Sequence, residues 1–425
     1  MGTLRRYAGL RWIWIGQLLS QLGNAVFQVM GLWELQLRSP YLLSAAALAM
    51  VVPSLLAAVG GVIVDHYDAA RIMLWTDVLR GTAVLLGIAA LVLPGSLVPV
   101  VIALLAVNSL GNALFGPAES LLVPRLVKDE DLPAANGVYS LTQQISPAIG
   151  SAIGGAAIAA LGVGLVFGFD MASFWISALA IWLMIRVLSA RPPRPASAPA
   201  ADPSAADADP ATSDGQGTVG LVASMREGFT SLRRLPALLP LLPIILLGNL
   251  AFMAAFTLLP YWIRGTLHGD AFAYGLITAA FAAGMVLGGL TTGFFGKWPI
   301  RVSSALMFTV SSLAIGMLAF TRSVPITVAL MLFAGVTNGI GNALLFTLIQ
   351  RLTPDAMRGR VFGLIFTLFG LASPVGAVLS NLFIHAIPIA LSWIFGAVCG
   401  VANGVGLWVT VPRDLAVTGE PTPAD

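Results

Sequence analysis

Residues 108–114 read Asn-Ser-Leu-Gly-Asn-Ala-Leu, and residues 338–344 read Asn-Gly-Ile-Gly-Asn-Ala-Leu. Five of these seven positions are identical, and both segments lie inside long apolar runs. The shorter matches, at offsets of 225 and 227 residues, are Gly23-Asn24-x-x-Phe27 with Gly248-Asn249-x-x-Phe252, and Ser146-Pro147 with Ser373-Pro374. Three matches at nearly one offset, each between corresponding runs, predict two homologous halves.

Apolar residues dominate both halves. The chain of 425 residues is 58% hydrophobic and 10% charged, with a mean hydropathy of +0.91. A soluble domain carries roughly 25% charged residues, so this chain has too few to cover a surface in water. A membrane-spanning helix needs about 20 apolar residues. Twelve runs of that kind lie near 11–37, 41–64, 72–93, 98–122, 134–160, 163–188, 237–264, 272–296, 302–321, 325–350, 359–386 and 389–411.

The fold expected from these runs is an all-α membrane protein, with twelve transmembrane helices in two pseudo-symmetric six-helix bundles. The bundles cover residues 1–189 and 236–412. Residues 190–218 between them are rich in Pro, Ala, Asp and Ser, a composition that cannot bury a core and predicts a disordered cytoplasmic linker. Residues 219–235 resume an amphipathic pattern and predict a helix on the inner membrane face. Residues 413–425 form a cytoplasmic tail.

The positions of lysine and arginine predict the orientation. With both termini in the cytoplasm, 19 of the 22 basic residues fall in or close to inner loops and termini. Only Arg38, Arg264 and Arg322 then lie outside. Because basic residues concentrate on the cytoplasmic side of membranes, we expect a multi-pass protein of the plasma or inner membrane with cytoplasmic termini.

Several function classes are excluded by what the sequence lacks. Cys399 is the single cysteine, and His66, His268 and His385 show no metal-ligand spacing. No phosphate-binding G-x-x-x-x-G-K-[ST] motif occurs. The basic residues sit in short loops between apolar runs, which indicates membrane topology and not a nucleic-acid interface. We therefore expect a monomer that is not an enzyme, with no catalytic residues, cofactor, metal or nucleic-acid partner.

The loop between the second and third runs carries a family resemblance. It reads Gly61-Val-Ile-Val-Asp65-His-Tyr-Asp68-Ala-Ala-Arg71. This resembles the loop motif of the major facilitator superfamily. The matching positions are Gly61, Asp65, Asp68 and Arg71, whereas His66 and two alanines stand where basic residues are usual. Together with the six-plus-six repeat, the resemblance covers the chain apart from the linker.

Further segments resemble one branch of that superfamily. Residues 115–124, 132–136 and 353–362 are similar to drug-efflux members related to macrolide and enterobactin exporters. In the fifth run, Pro147 and Gly150 match positions of a Gly/Pro-rich antiporter motif, although serines replace two of its glycines. The resemblance implies export by exchange, with Pro147 and Gly150 at a hinge.

The loop motif also implies a gate at the cytoplasmic ends of the helices. In the outward-open state Asp65 would lie near Arg358 and the start of the eleventh run, forming an attraction that is made and broken in each cycle. The gating residues on this interpretation are Gly61, Asp65, Arg71, Asp77, Arg80 and Arg358. Asp77 and Arg80 lie three residues apart in the third run, where pairing offsets part of the cost of charge in a membrane. A permanent structural pair is an equal alternative for them.

Amides mark a candidate substrate cavity. In the first run they recur at helical spacing within a face of about 60°, and lipid offers amides no hydrogen-bond partners. The superfamily lines its central cavity with the first, fourth, seventh and tenth runs, which all carry repeat-related amides. The predicted lining is Gln17, Gln21, Asn24, Gln28, Asn108, Asn112, Asn249, Phe252, Met253, Phe256, Asn338 and Asn342. Neutral amides beside Phe and Met suit amphiphilic substrates, whereas hydrogen bonding between helices is the structural alternative.

Coupling to protons needs an ionisable group inside the membrane. Asp170, about seven residues into the sixth run and without an adjacent basic residue, is the first candidate. Glu34, four residues before Arg38, is the second, and Glu119 after Pro117 is a candidate for the gate. Asp170 and Glu34 lie off the amide stripe, so coupling would act through helix movement.

These features predict a secondary transporter that exports small amphiphilic molecules by proton-coupled alternating access. Its partners are then a small-molecule amphiphilic substrate, protons and the lipid bilayer. The alternatives within transport are a dedicated exporter of a siderophore or another natural product, and a narrower uptake carrier. A lipid flippase and a non-transporting membrane receptor are alternatives from another class.

Overall fold

A computed structural model describes residues 4, 6–39, 41–53, 67–128, 131–189, 239–295, 298–354 and 388–411, with isolated positions between 361 and 379. The predicted linker (190–218), inner-face helix (219–235) and tail (413–425) lie outside the described residues. So do three predicted gating residues, Gly61, Asp65 and Arg358.

Helices of the first half follow one another with short connections. They are α1 (Ala8–Arg38), α2 (Tyr41–Val51), α3 (Ala69–Ala90) and α4 (Leu97–Leu126), followed by one helical run over Leu132–Ser189. This run breaks at Gly162, where φ is 75° and ψ is 175°. A side chain is strained at such a positive φ, and glycine is not. The break separates α5 (132–161) from α6 (163–189).

The second half begins with α7, which has two segments, Leu241–Thr257 and Leu259–Thr266, bent by 46°. It continues with α8 (Ala271–Thr291), α9 (Ile300–Gly316), α10 (Val324–Leu352) and α11 (Ile389–Thr410). Short 3-10 turns over Thr292–Phe295 and Met317–Phe320 extend α8 and α9. Two carboxylates cap helix starts, because Asp68 accepts from the Arg71 amide and Asp270 from the Ala273 amide, both at 2.9 Å.

Seven helices in the described part of the chain are long and apolar enough to cross a membrane, or eight if the bent pair in α7 is one span. Their ends lie within a few residues of the predicted runs; the third run, for example, was expected at 72–93 and is observed at Ala69–Ala90. The predicted runs near 41–64 and 359–386 lie largely outside the described residues. The all-α, multi-pass membrane class is therefore confirmed, whereas the count of twelve stays a prediction.

Glycines bring helix backbones together within each half. A Cβ at Gly150 on α5 would overlap the Ala25 side chain on α1. In the second half, a Cβ at Gly284 or Gly288 on α8 would overlap backbone atoms of α10. Close approach of this kind stabilises helix pairs in membranes, where burial of apolar surface supplies little drive.

The two halves contact each other at the predicted outer end. A Cβ at Gly155 on α5 would lie 2.8 Å from the Cα of Gly275 on α8, so the two backbones touch there. The Trp33 ring on α1 stacks on the Tyr274 ring on α8, with centroids 5.9 Å apart. Arg264, in the second segment of α7, donates to the Leu37 carbonyl at 3.5 Å. These contacts close the outer end between α1, α5, α7 and α8.

Candidate functional site

Ionisable side chains are buried in the middle of the first half. Asp77 and Arg80 lie one turn apart on α3, and their exposed fractions are 0% and 2%. An Arg80 nitrogen, Nη1, lies 3.6 Å from Asp77 Oδ1. The predicted pair is therefore present, at an ion-pair distance longer than a strong charge-assisted hydrogen bond.

Arg80 reaches across to α4. Its Nη2 donates to the backbone carbonyl of Asn108 at 3.1 Å and to Oδ1 of Asn112 at 2.9 Å. The guanidinium also lies over the rings of Phe115 and Phe174, 5.8 and 5.5 Å from their centroids. Gly111 provides the space, since a Cβ there would overlap Arg80 Nε. The first copy of the repeated segment, residues 108–114, thus binds the Arg80 guanidinium.

Two further carboxyl groups join this pair. Asp170 on α6 is fully buried and interacts electrostatically with Arg80. Glu119 on α4 is 8% exposed; it lies beside Gln17 of α1 and interacts with Asp77. We call Asp77, Arg80, Glu119 and Asp170 the charge cluster. It contains three carboxyl groups and one guanidinium.

Most carboxylate oxygens of the charge cluster lack a hydrogen-bond partner among the described residues. Within the described part of the chain, no donor of standard hydrogen-bond geometry reaches the carboxylate oxygens of Asp77 and Asp170, although the Ser177 hydroxyl lies beside Asp77. Among the same residues, no three metal-ligating side chains converge on a common point. Buried polar atoms without a hydrogen-bond partner are rare in proteins. Buried ionisable groups of this kind are common at functional sites, where their protonation state changes.

The second half contains a cavity of about 770 Å³. It is bordered by α7, α8, α9, α10 and α11. Six of the predicted cavity residues line it, namely Asn249, Phe252, Met253, Phe256, Asn338 and Asn342. The structure adds others that the sequence interpretation missed, among them Phe281, Met285, Phe308, Ser312 and Asn403.

The cavity wall alternates amides with aromatic rings. Asn342 Nδ2 donates to Oδ1 of Asn338 at 2.7 Å. The Oδ1 atoms of Asn249 and Asn403 are buried, and no donor among the described residues reaches them. The rings of Phe252, Phe256 and Phe281 pack together, with centroids between 4.3 and 5.6 Å apart. A ligand here would meet apolar surface with a few directed hydrogen-bonding groups.

The amides predicted in the first half have different surroundings. Gln17 is buried beside Glu119, while Gln21 and Asn24 are half-buried on α1. Gln28 donates to the Met50 sulfur at 3.7 Å. Asn108 and Asn112 hold Arg80, the first through its backbone carbonyl and the second through its side-chain oxygen.

The remaining predicted residues lie at helix ends and packing contacts. Glu34 is paired with Arg38 at 3.0 Å near the predicted outer end. At the predicted cytoplasmic end, Arg71 is exposed and follows the Asp68 cap of α3. Gly150 on α5 touches α1, whereas Pro147, three residues earlier, is exposed, and its carbonyl accepts from the Ser151 hydroxyl at 2.7 Å.

Comparison with known families gives a profile match along most of the chain. The profile described as Major Facilitator Superfamily matches residues 13–377 and, in a second alignment, residues 261–424. Macrolide efflux protein A of Streptococcus pyogenes is 26% identical over 384 residues, covering 87% of this chain and 88% of the relative. Enterobactin exporter EntS of Citrobacter koseri is 30% identical, covering 72% and 68%. Multidrug efflux pump Tap of Mycobacterium bovis is 28% identical, covering 80% and 77%.

Solved structures agree on the fold. A bacterial homologue of the iron transporter ferroportin, crystallised in an inward-facing state, superposes with a TM-score of 0.67 at 17% identity. The superposition covers 95% of this chain and 98% of the other. At this identity the likeness concerns the fold alone.

Proposed function

Because the chain belongs to the major facilitator superfamily, we propose that it exports small amphiphilic molecules in exchange for protons, by alternating access. The observation that carries the proposal is the division between its halves. One half buries three carboxyl groups and one guanidinium, and the other holds a cavity of about 770 Å³ with no ionisable side chain among the described residues that line it.

The cavity supports export of amphiphilic molecules. Its size lies within the range of about 300–1,000 Å³ that small-molecule sites occupy. Phe and Met side chains adapt to different apolar shapes, and the buried Asn249 and Asn403 oxygens have no donor among the described residues. Relatives named for macrolide, enterobactin and multidrug export agree with such substrates.

The charge cluster supports proton coupling. A single guanidinium cannot neutralise three carboxylates, and an excess negative charge buried in the membrane is costly. A proton that binds one carboxyl group removes that excess, and its release restores it. We assign this role first to Asp170, since Asp77 has Arg80 on its own helix and Glu34 is paired with Arg38 at the rim.

Alternating access needs two ends that open in turn. The contact of Gly155 with Gly275 closes the predicted outer end, and Pro147 and Gly150 lie on the same helix, where a hinge would act. Asp65 with Arg358 is the proposed cytoplasmic latch, with Gly61, Arg71, Asp77 and Arg80 around it. We place the protein as a monomer of twelve spans in the plasma or inner membrane, with both termini in the cytoplasm.

The test is accumulation of a panel of macrolides and lipophilic cations in a strain that lacks its own efflux pumps. Cells that express the protein should accumulate less of several compounds than control cells, and a protonophore should abolish the difference. Asp170→Asn at equal expression is the matched control, and it should behave like the empty strain. Export that ignores the protonophore would contradict proton coupling, and export of no compound would contradict drug efflux.

A dedicated natural-product exporter is the second candidate, favoured by the 30% identity to an enterobactin exporter. The same panel separates it from a multidrug exporter, because a dedicated exporter would move one compound class and ignore the rest. A lipid flippase would move labelled lipid between leaflets of a vesicle and leave the panel unchanged.

The latch has its own test. Asp65→Asn should slow transport while leaving ligand affinity within a few-fold of wild type, because the attraction acts between states and not on the ligand. Wild-type turnover in this variant would remove the latch.

A further inference from the structure

The six apolar runs of the second half contain no Asp or Glu. Their charged or titratable basic side chains, Arg264, Arg360 and His385, lie within two residues of a run's end. These runs therefore supply no carboxylate that could border the cavity as a counter-ion for a cation. The first half, by contrast, carries Glu34, Asp77, Glu119 and Asp170 in the corresponding runs.

Among the described residues that line the cavity, the polar side chains are neutral amides and one hydroxyl. Amides offer both donors and acceptors, so they match hydroxyl, carbonyl, ester and unprotonated amine groups of a ligand. The Asn338–Asn342 pair presents one such edge. Asn249 and Asn403 also line the cavity, and their buried oxygens have no donor among the described residues. None of these groups neutralises a full charge.

Aromatic rings do not replace the missing carboxylate. A cation placed over a phenylalanine face gains some attraction, and Phe252, Phe256 and Phe281 line the cavity. However, these three rings pack against one another and share part of their faces. The cost of taking an ammonium group out of water without a counter-ion is larger than one such contact returns.

We propose that the cavity binds its substrate in electrically neutral form, so that a weak base leaves its proton in the cytoplasmic water before it binds. The inference rests on the proposed function and narrows its substrate class. It has a consequence for energetics. If the substrate crosses uncharged and the counter-transported proton binds the charge cluster, each exchange moves net charge, and the membrane potential drives it along with the pH gradient.

The test uses two probes that differ in one methyl group and a fixed charge. Erythromycin carries a dimethylamino group that titrates, and its quaternary N-methyl derivative is cationic at every pH. Binding of both is measured on the purified full-length protein below and above the pKa of the amine. Erythromycin should bind about tenfold more weakly for each pH unit below that pKa, as its neutral fraction falls. The quaternary derivative should bind at least about tenfold more weakly than neutral erythromycin at every pH.

A variant can reverse the selectivity. Asn249→Asp replaces an amide by a carboxylate of the same shape in the cavity wall, and it should recover binding of the quaternary derivative. Asn249→Leu removes the amide without adding charge, and it should not. The pair of probes on the wild-type protein decides the proposal even where Asn249→Asp fails to fold.

The outcomes distinguish failure of neutral-form selection from failure of the proposed drug export. Equal affinity for both probes, or erythromycin binding that ignores pH, would overturn neutral-form selection and leave drug export standing. Binding of neither probe would overturn the macrolide class as substrate, and neutral-form selection of it would fall too. In vesicles with no pH gradient, export driven by an imposed inside-negative potential would support the energetic consequence. Export insensitive to that potential would contradict it.

Discussion

The two halves share a repeat, yet the same glycine faces a cation in one and a phenylalanine in the other. Gly111 gives space to Arg80, whereas Gly341, 230 residues later, contacts the Phe308 ring. Gly23 likewise faces Ser173, and Gly248, 225 residues after Gly23, faces Asn403.

These contacts show which residues of the second half occupy the positions of Asp170 and Glu119 in the first half. Ser173 corresponds to Asn403, so Asp170, one turn earlier, corresponds to Gly400. By the offset of the repeated segment, Glu119 corresponds to Ile349. The glycines that allow helices to approach are present in both copies, while the side chains that face them differ. One copy buries an arginine and three carboxyl groups, whereas the described lining of the cavity in the other has neutral amides and aromatic rings.

The largest expected effect comes from Arg80→Gln, compared with Phe308→Leu at the corresponding place. Removing one partner of a buried ion pair costs about 3–5 kcal/mol, and here it leaves three carboxyl groups without a cation. We expect loss of transport and a strongly reduced melting temperature. Phe308→Leu exchanges one apolar side chain for another, a change that usually costs less than about 1.5 kcal/mol. Thermal melting of the two purified variants checks this, and equal melting temperatures would contradict the account.

The glycines offer a second comparison. Gly111→Ala would drive a Cβ into Arg80 Nε, and overpacking of this kind costs roughly 1–3 kcal/mol. Gly341→Ala places its Cβ 3.3 Å from the Phe308 ring, which borders a cavity and has space to shift. Replacing a helical glycine by alanine also stabilises the helix by up to about 1 kcal/mol. We expect Gly111→Ala to lower the melting temperature and Gly341→Ala to leave it nearly unchanged. The reverse order would show that the two sites are not packed as described.

The asparagines should separate coupling from binding. Asn112→Ala removes a hydrogen bond to a charged group, so it should slow proton-driven transport while leaving erythromycin affinity near wild type. Asn342→Ala removes an amide from the cavity wall and should weaken erythromycin binding about two- to tenfold. Binding assays and transport rates on both variants check the pair. An equal loss of affinity in both would place the ligand between the halves.

Glu34→Gln should have the smallest effect. Glu34 and Arg38 are four residues apart on one helix and partly exposed. Ion pairs of this kind contribute about 0.2–1 kcal/mol to stability. We expect proton-driven uptake into inverted vesicles at a rate close to wild type. Loss of that uptake would transfer the coupling role from Asp170 to Glu34.

Much of the fold could be predicted because a membrane imposes simple rules. Apolar runs placed the helices to within a few residues, and the repeated Gly-Asn motifs placed amides in the wall of the second half's cavity. The runs also placed the break between α5 and α6, expected at residues 161–162 and observed at Gly162, whose φ is 75°. Asn403 and Phe281, which line the cavity, were not predicted. The sequence does not show whether a single polar or aromatic residue in an apolar run faces a cavity, another helix or lipid.

The charge cluster shows where sequence reasoning stopped. Asp77 and Arg80 were found as an i,i+3 pair, but Asp170 is 90 residues farther along the chain from Arg80. Their proximity depends on how α3, α4 and α6 pack, and spacing along one helix says nothing about that. Asp170 therefore looked unpartnered, and Glu119 looked like part of a gate.

The central claim is that Asp170 carries the coupling proton and does not bind the substrate. The most direct test compares two reactions of Asp170→Asn in proteoliposomes: uphill erythromycin transport driven by a pH gradient, and exchange of labelled for unlabelled erythromycin without a gradient. Exchange needs binding and helix movement but no net proton transfer. We predict that uphill transport is lost while exchange continues at nearly the wild-type rate. Retained uphill transport, or equal loss of both reactions, would contradict the assignment.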